Sequence, residues 1–231
     1  MEKGIEIDLI NEYVFWLKAK EKITLIPKYK KFDDFNAFYN SIKKGGKNTI
    51  GLGSVTVTKE RTNDVDFTAS YLKNVAFCIS SGNAPDIKTK NPQEVMKALG
   101  KMKALTMQNT SLEKYIKDLK KSFLPDLKTV YHPSETKILD EIARSYLYFG
   151  YVDAISFWFY LRTYPQKFLK IQKTLNQSKE EFALIVPKDS KHKVLFNEFF
   201  ASPKGFSHSP KYRGILESHL GSYMAMNVAI N

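Results

Sequence analysis

Alternating helical and strand patterns restrict the fold of this chain more than any other feature of its sequence. A helical pattern over residues 8–18 precedes a strand pattern at 22–27, and a second helical pattern, which ends at Gly45-Gly46, precedes a strand pattern at 49–52. The apolar face of each element has to be covered by another element, and this alternation is typical of mainly parallel sheets flanked by helices. The sequence therefore predicts an α/β fold.

The alternation continues and predicts two lobes. Residues 80–90 are polar and mark a boundary, and a strand pattern at 182–186 returns the chain to the first lobe. We therefore predict one lobe from residues 1–78 plus 182–231 and another from residues 79–181, with a cleft between them. In and after the second lobe, strand patterns occur at 103–107, 128–131 and 152–159, and helical patterns at 91 onward, 110–122, 134–148, 165–174, 193–200 and 211–220.

The chain is strongly basic, but its charge does not come with a nucleic-acid motif. The 36 Lys and Arg against 24 Asp and Glu give a net charge of +12, which favours contact with nucleic acid. The lysines are spread along the chain and are densest between Lys88 and Lys121, where they fit the solvated faces of two helices. The sequence contains neither zinc-finger spacing nor an aromatic RNA-binding signature. We therefore predict no nucleic-acid partner.

The residues that support catalysis in other proteins are scattered in this sequence. The four histidines, His132, His192, His208 and His219, lack metal-ligand spacing. The sequence contains neither a nucleophile elbow nor a phosphate-binding loop. Cys78 is the single cysteine, which excludes an internal disulfide. We expect no enzymatic activity, no metal and no cofactor.

The stretch from Gly51 to Tyr71 has the composition of a small-anion site. Glycines open it, the small hydroxyl residues Ser54 and Thr56 follow, and Arg61 comes next. Small side chains let a ligand approach the backbone, hydroxyls donate hydrogen bonds, and a guanidinium grips a carboxylate with two parallel bonds. This pattern favours a small ligand that carries a carboxylate.

Five segments, taken in order, resemble a known family. They are Ile5-Glu6-Ile7-Asp8-Leu9, Thr56-Val57-Thr58-Lys59-Glu60-Arg61, Val65-Asp66-Phe67-Thr68-Ala69-Ser70-Tyr71, Thr106-Met107-Gln108-Asn109-Thr110 and Gly150-Tyr151-Val152-Asp153-Ala154. Their order and spacing cover nearly the whole chain. Together they are similar to the bacterial extracellular solute-binding proteins of the polar amino-acid class, which have the two-lobed type II periplasmic-binding-protein fold.

The resemblance implies two lobes that are joined by a two-strand hinge and close on a small ligand without chemistry. It also implies a monomer of the periplasm or cell envelope that delivers its ligand to the permease of an ABC transporter. Acidic residues among the first twenty exclude a signal peptide there, so we expect that an export signal was removed or that the chain is a fragment. The alternative is a ligand-sensing or regulatory module of a larger envelope protein, beside a lytic transglycosylase or signalling domain.

In the first lobe, the resemblance assigns the ligand's α-carboxylate to Arg61. Ser54 and Thr56, which come just before it, would assist. A second interpretation needs no ligand: Arg61 would form a surface ion pair with Asp64 or Asp66, and the hydroxyl residues would be ordinary strand residues. Both interpretations are open at this point.

In the second lobe, the resemblance assigns the first-turn hydroxyls of a helix, Thr110 and Ser111, to the same carboxylate. The same two residues also make sense as a helix start with no ligand at all. The resemblance also implies an aromatic residue that stacks on the ligand at the start of the second helix, and Phe35 occupies that position. The turn before Thr110 has Asn109 where the family usually has glycine, and asparagine tolerates left-handed backbone.

Two further departures from the family affect the expected ligand. The family's first strand and its ligand-contacting loop should precede Gly4. The carboxylate that usually binds the ligand's ammonium should lie about five residues beyond Asp153, which we interpret as structural, but that position is Trp158. We place Trp158 in the strand pattern at 152–159, where its ring either belongs to the core or faces the cleft. In the cleft it would suit a ligand with an aromatic or apolar body, or one whose cation rests on the ring.

Overall fold

The computed structural model describes residues 3–230, apart from the side chains of residues 178 and 179. Over these residues the α-helices are α1 (Ile5–Trp16), α2 (Phe35–Lys43), α3 (Pro92–Leu99), α4 (Ser111–Ser122), α5 (Glu135–Arg144), α6 (Ala154–Thr163), α7 (Lys191–Ala201), α8 (Pro210–Leu220) and α9 (Ser222–Val228). The strands are β1 (Gly51–Thr56), β2 (Val65–Ser81), β3 (Lys103–Thr106), β4 (Thr129–Tyr131), β5 (Tyr148–Asp153), β6 (Leu169–Ile171) and β7 (Gln177–Pro187). A π-helix, Leu17–Glu21, continues α1, and 3₁₀ turns occupy Arg61–Asn63, Lys173–Leu175 and Phe206–His208.

The chain divides into two compact units. Unit 1 combines the residues up to Asp33, Ala37–Lys73 and the residues from Glu181 onward, and unit 2 combines Asp34–Asn36 with Asn74–Glu180. Strands β2 and β7 are neighbours in the strand order, and each begins in one unit and ends in the other. The predicted α/β fold is confirmed, whereas the lobe limits at residues 78 and 182 stay a prediction.

The core of unit 1 is an aromatic cluster between α1 and α7. Tyr13 of α1 is fully buried, and its ring lies 5.3 Å from the ring of Phe196 and 5.6 Å from that of Phe199. The Tyr13 hydroxyl is 2.9 Å from Nδ1 of the buried His192, so its polar end is satisfied inside the core. On the sheet side, β1 pairs with β7 in antiparallel orientation, with Thr56 opposite Phe182.

The sheet of unit 2 has helices on both faces. Strand β3 pairs in parallel with β4 and β5, and β2 pairs in antiparallel orientation with β5 and β6. Alternate residues of β2 point to opposite faces: Ala76 and Cys78 belong to the apolar cluster that contains α3 and α4, whereas Ile79 belongs to the cluster that contains α5 and α6. This arrangement fixes the carboxyl ends of β3 and β5 relative to each other.

Three predicted elements were wrong. Residues 22–27 form no regular element, because Ile23 and Ile26 are exposed and have no partner strand among the described residues. The strand predicted at 152–159 ends at Asp153, and α6 follows; a short, wholly apolar run does not distinguish a strand from a buried helix. The helix predicted at 165–174 is instead β6, which pairs with β2.

Candidate ligand-binding site

Two of the three residues predicted in the first lobe, Thr56 and Arg61, are in contact at the end of β1. Ser54 and Thr56 lie on β1, and Arg61 begins the 3₁₀ turn that follows. The Arg61 guanidinium donates a hydrogen bond from one terminal nitrogen to the carbonyl oxygen of Thr56 at 2.9 Å. This contact folds the side chain back along the strand from which the turn departs. The guanidinium is therefore positioned at the strand end and does not extend freely from the turn.

Asp64 and Asp66, the two residues that could have formed a surface ion pair with Arg61, are paired with lysines. Asp64 accepts a hydrogen bond from Lys43 at 2.7 Å. Asp66 lies 3.2 Å from Lys193 and 3.4 Å from Lys188. Lysines of α2 and of the region around α7 thus balance these two carboxylates.

A partly buried glutamate, Glu6, shapes the backbone around Ser54. Ser54 has a φ of 48°, which is left-handed, and the pairing register of β1 with β7 shifts between Gly51 and Val55. Glu6 Oε1 accepts hydrogen bonds from the backbone N–H groups of Gly53 and Ser54, both at 3.1 Å. Successive N–H groups in such a bulge form a concave anion site, and here the anion is the protein's own carboxylate.

Glu6 was not predicted as a site residue, although it lies in the first of the five family-like segments. Its carboxylate also accepts a hydrogen bond from the Tyr71 hydroxyl at 2.6 Å. Burial raises the pKa of Glu6, while the three hydrogen bonds act in the opposite direction. The sequence does contain a signal for this residue. Glu6 is flanked by Ile5 and Ile7, and a charged side chain between apolar neighbours on a helix needs a polar partner.

In unit 2, Thr110 is the N-cap of α4. Its Oγ1 accepts a hydrogen bond from the Glu113 N–H at 3.3 Å and donates one to the Met107 carbonyl oxygen at 2.7 Å. Glu113 accepts from the Asn109 N–H at 2.8 Å, and Asn109 adopts the left-handed backbone, with a φ of 59°. The predicted helix start is confirmed. A ligand role for Thr110 and for Ser111, the first residue of α4, stays a prediction.

The two aromatic residues predicted to contact ligand lie in unit 2, on different helices. Phe35 is the first residue of α2 and is partly buried; its neighbour Asn36 accepts a hydrogen bond from Asn109 Nδ2 at 2.8 Å. Trp158 is partly buried on α6 and is not in a strand, so the expected strand position was wrong. The ligand contacts of both rings stay predictions.

A group of carboxyl side chains in unit 2 was not predicted. Asn74 Nδ2 donates to Asp153 at 2.7 Å and to Glu180 at 2.8 Å. Glu135 accepts from the Asp153 N–H at 2.5 Å and from Ser156 Oγ at 2.9 Å, and its carboxyl group is also hydrogen-bonded to that of Asp153.

This clustering changes how the carboxyl groups titrate. Burial raises the pKa of Glu135 to about 7, and the charge of Glu180 acts in the same direction. Burial, followed by the charges of Glu135 and Glu180, raises the pKa of Asp153 well above its usual value. Two neighbouring carboxyl groups that are hydrogen-bonded to each other therefore share a proton.

Residues 3–230 contain no group of three or more His, Cys, Asp or Glu side chains that is placed to hold a metal ion. Within the same residues, every helix is too short or too polar to span a bilayer.

A surface cavity of about 660 Å³ in unit 1 lies apart from the predicted residues. It is lined by Trp16, Lys20, Phe199 and Phe206, among others, and by none of the residues predicted to bind ligand. Its rings pack on one another, with Phe199 and Phe206 stacked at 4.9 Å, and Lys20 forms an ion pair with Glu198. We therefore place the candidate site at the end of β1 and not in this cavity.

Comparisons with known proteins show the fold. No family model matches the sequence, and no curated protein matches it. Solved structures do match over nearly the whole chain, and they have two lobes of the type II periplasmic-binding kind. The chain therefore has the type II periplasmic-binding-protein fold.

Three of these structures illustrate the similarity. The GluR0 ligand-binding core from Nostoc punctiforme, in complex with L-glutamate, has a TM-score of 0.75 and 14% identity, over 95% of this chain and 92% of that one. The arginine-, lysine-, histidine-binding protein ArtJ from Geobacillus stearothermophilus has a TM-score of 0.72 and 20% identity, over 96% and 89%. The substrate-binding protein of an amino acid ABC transporter has a TM-score of 0.67 and 18% identity, over 94% and 87%.

Proposed function

We propose that this chain is a solute-binding protein that takes a small, amino-acid-like ligand by its carboxylate, with Arg61 as the carboxylate partner. The observation that carries the proposal is the placement of the Arg61 guanidinium against the Thr56 carbonyl oxygen at 2.9 Å, at a strand end of a fold that known ligand-binding proteins share. The guanidinium presents its N–H donors as a planar fork. A carboxylate meets both the charge and the geometry of that fork.

The remaining predicted residues are proposed as supporting contacts. The Ser54 hydroxyl is on an exposed residue of the same strand end as Arg61, and a left-handed bulge of this kind is common next to binding sites. Thr110 and Ser111 stand at the N-terminus of α4, where backbone N–H groups and the helix dipole favour an anion. Phe35 and Trp158 would contact the body of the ligand.

We further propose that the protein works without catalysis, outside the cytoplasm and as a monomer, and hands its ligand to the permease of an ABC transporter. The support is the fold, because one similar structure is described as the substrate-binding protein of an amino acid ABC transporter. The alternative, a sensing module of a larger envelope protein, predicts an attached domain in the full-length gene product. Size-exclusion chromatography with light scattering tests the monomer.

A thermal-shift screen of the twenty amino acids and of small carboxylates tests the binding proposal. At a hundred times Kd a ligand adds about 2.7 kcal/mol to the free energy of unfolding, which raises the Tm of a domain of this size by about 5–10 °C. Arg61→Ala should abolish that rise. Arg61→Lys, which keeps the charge but loses the fork, should retain part of it, and Arg213→Ala, a control on the exposed face of α8, should retain all of it.

The Tm of each variant without ligand shows whether the fold is intact. If Arg61→Ala keeps the full ligand-induced rise, Arg61 is not the carboxylate partner. Closure of the lobes on the ligand, which the family resemblance implies, stays a prediction; a decrease in the radius of gyration on ligand addition, measured by small-angle scattering, would support it.

A further inference from the structure

The residues that follow α1 in unit 1 form a strongly basic segment. Residues 18–31 contain six lysines and a single acidic residue, and all six lysines are exposed. Lys20 forms an ion pair with Glu198. Lys18 and Lys28, in contrast, make no ion pair or side-chain hydrogen bond with any residue that the structure describes. The segment therefore presents an excess of positive charge to its surroundings.

Apolar side chains are exposed among these lysines. Ile26 is 83% exposed, Phe15 at the end of α1 is 71% exposed, and Ile23 is exposed as well. Phe15 and Lys18 are three positions apart on the same continuous helix, so they are neighbours on its surface. A single exposed apolar residue is ordinary on a protein surface. Apolar side chains that alternate with lysines are instead typical of segments that lie at a membrane interface.

The backbone of the basic segment is also open to an outside partner. The Ile23 N–H donates to the Leu17 carbonyl oxygen at 3.2 Å, but residues 24–28 make no backbone hydrogen bond with any described residue. Backbone polar groups without a protein partner need water or another polar surface. The hydrated headgroups of a bilayer meet this need, and the hydrocarbon interior does not. The segment is therefore suited to the surface of a bilayer and not to its interior.

The surface cavity of unit 1 adjoins this segment. Trp16 and Lys20 line it from one side, and Ser202, Lys204 and Ser209, from the stretch between α7 and α8, line it from the other. The Lys20 ammonium lies 5.1 Å from the centre of the Trp16 ring. Indole rings favour membrane interfaces because they combine an apolar body with an N–H group. The cavity thus adds a further lysine, two hydroxyls and an interfacial ring to the basic segment.

We propose that residues 15–31, together with the adjoining cavity, bind the surface of a membrane that contains anionic phospholipid. The lysines contact the headgroup phosphates, while the side chains of Phe15 and Ile26 enter the boundary between the headgroups and the acyl chains. This contact is peripheral and reversible. It involves none of the residues proposed to bind the solute and therefore goes beyond that function.

An anionic membrane fits the segment better than nucleic acid or an acidic protein does. All three would account for the lysines. Single-stranded nucleic acid is bound by aromatic rings that stack on its bases, whereas Ile26, the most exposed apolar residue of the segment, is aliphatic. A bilayer uses both features, because it attracts lysines to its phosphates and takes up apolar side chains beneath them.

Flotation of the full chain with vesicles tests the proposal. Vesicles of equal parts phosphatidylglycerol and phosphatidylcholine should bind the protein about a hundredfold more tightly than vesicles of phosphatidylcholine alone. Raising the salt from about 0.1 M to about 1 M should weaken binding, because the screening length falls from about 10 Å to about 3 Å. Equal binding to the two kinds of vesicle would overturn the proposal.

A pair of double variants tests the lysines. Lys18→Gln with Lys28→Gln should weaken binding to the mixed vesicles about twentyfold, since each lysine near an anionic leaflet raises the binding constant about fivefold. Lys120→Gln with Lys121→Gln, which removes two exposed lysines at the end of α4, is the matched control and should change binding by about twofold at most. Equal losses in the two double variants would show that only the net charge of the protein matters and would overturn the proposal.

A second pair of variants tests the apolar contact. Ile26→Ser should weaken binding to the mixed vesicles about tenfold, because a buried isoleucine side chain is lost from the interface. Met226→Ser is the control: Met226 is 75% exposed on α9, a helix that contains no lysine, and the substitution should leave binding unchanged. All these side chains are exposed, so every variant should keep the wild-type Tm within about 2 °C.

Tryptophan fluorescence locates the contact. The chain has two tryptophans, and Trp158→Phe leaves Trp16 as the single one. Its emission should shift to shorter wavelength when the mixed vesicles are added, and brominated acyl chains in the same lipids should quench it. Vesicle binding without quenching of Trp16 would mean that another surface makes the contact, and the proposal would be wrong.

Double-stranded DNA and polyglutamate represent the competing partners. If either binds the wild type as tightly as the mixed vesicles do, and Ile26→Ser leaves every affinity unchanged, the segment is a general site for polyanions and the membrane proposal is wrong. If Ile26→Ser weakens only the binding of vesicles, the apolar side chain enters the lipid and the proposal is supported.

Discussion

Replacing Glu135 by glutamine should change how the stability of this protein depends on pH. Glu135 is the carboxyl group whose pKa burial raises from 4.5 to about 7. In the folded protein it keeps a proton that the unfolded chain has already released, so its contribution to the free energy of unfolding is largest below pH 4.5 and is lost as the pH rises through about 7. At 1.36 kcal/mol for each tenfold change in proton affinity, the full effect is about 3 kcal/mol. Most of this effect should appear between pH 5 and pH 8.

The measurement is urea unfolding of the wild type and of Glu135→Gln at several pH values, with the difference between the two taken at each pH so that the groups not coupled to Glu135 cancel. The wild type should lose about 2–3 kcal/mol relative to the variant between pH 5 and pH 8. Glu94→Gln is the matched control. Hydrogen bonds from the N–H of Lys88 and from Thr89 lower the pKa of Glu94, so its effect is lost only as the pH falls below 4.5, and its difference should stay constant over this window. Parallel stability curves for the wild type and Glu135→Gln would show that this carboxyl group does not hold its proton near neutrality.

Two further predictions concern the scaffold of unit 2. Gly150→Ala should destabilise the protein by about 1–3 kcal/mol, because a Cβ there would lie 2.5 Å from the Leu105 carbonyl oxygen. The control is Gly214→Ala on α8, where a Cβ meets nothing within 4 Å. This control should stabilise the protein by about 0.5–1 kcal/mol. Equal urea midpoints for the two variants would contradict this packing argument. Thr110→Ala should cost about 1 kcal/mol in urea unfolding without ligand, whereas Thr110→Ser should cost little; a neutral Thr110→Ala would mean that the cap contributes no stability.

The features that the sequence predicted well depend on short-range chemistry. The helix starts predicted near residues 91, 110 and 134 are all present, and Asn91, Thr110 and Ser134 each accept a hydrogen bond from a first-turn N–H, because a cap is decided within four residues of chain. The left-handed backbone of Asn109 is likewise a local property of the chain. The contact between Arg61 and Thr56 is also short-range, because the two residues are five positions apart in the sequence.

The features that the sequence missed depend on distant partners. Residues 169–171 are a strand only because Ile79–Ser81 pair with them, and a local helical pattern carries no information about that pairing. Trp158 lies in an apolar run whose buried members, Phe157 and Tyr160, are three residues apart, but the exposed Phe159 between them hides the helical period. The side chains of Asp153, Glu135, Asn74 and Glu180 come together from four elements, and periodicity within one element does not reveal such a cluster.

The order in which the chain segments join the two units has a consequence for synthesis. Residues 74–180 of unit 2 emerge from the ribosome as one uninterrupted stretch, whereas unit 1 needs the stretch from Glu181 onward to complete it. Strand β1 can pair only after β7 has been made, and Tyr13 can pack against Phe196 only after α7 has been made. Domains generally fold as units during translation, and pairings between distant segments form slowly. The nascent chain should therefore carry a folded interior segment while the earlier-made α1 still exposes its aromatic face.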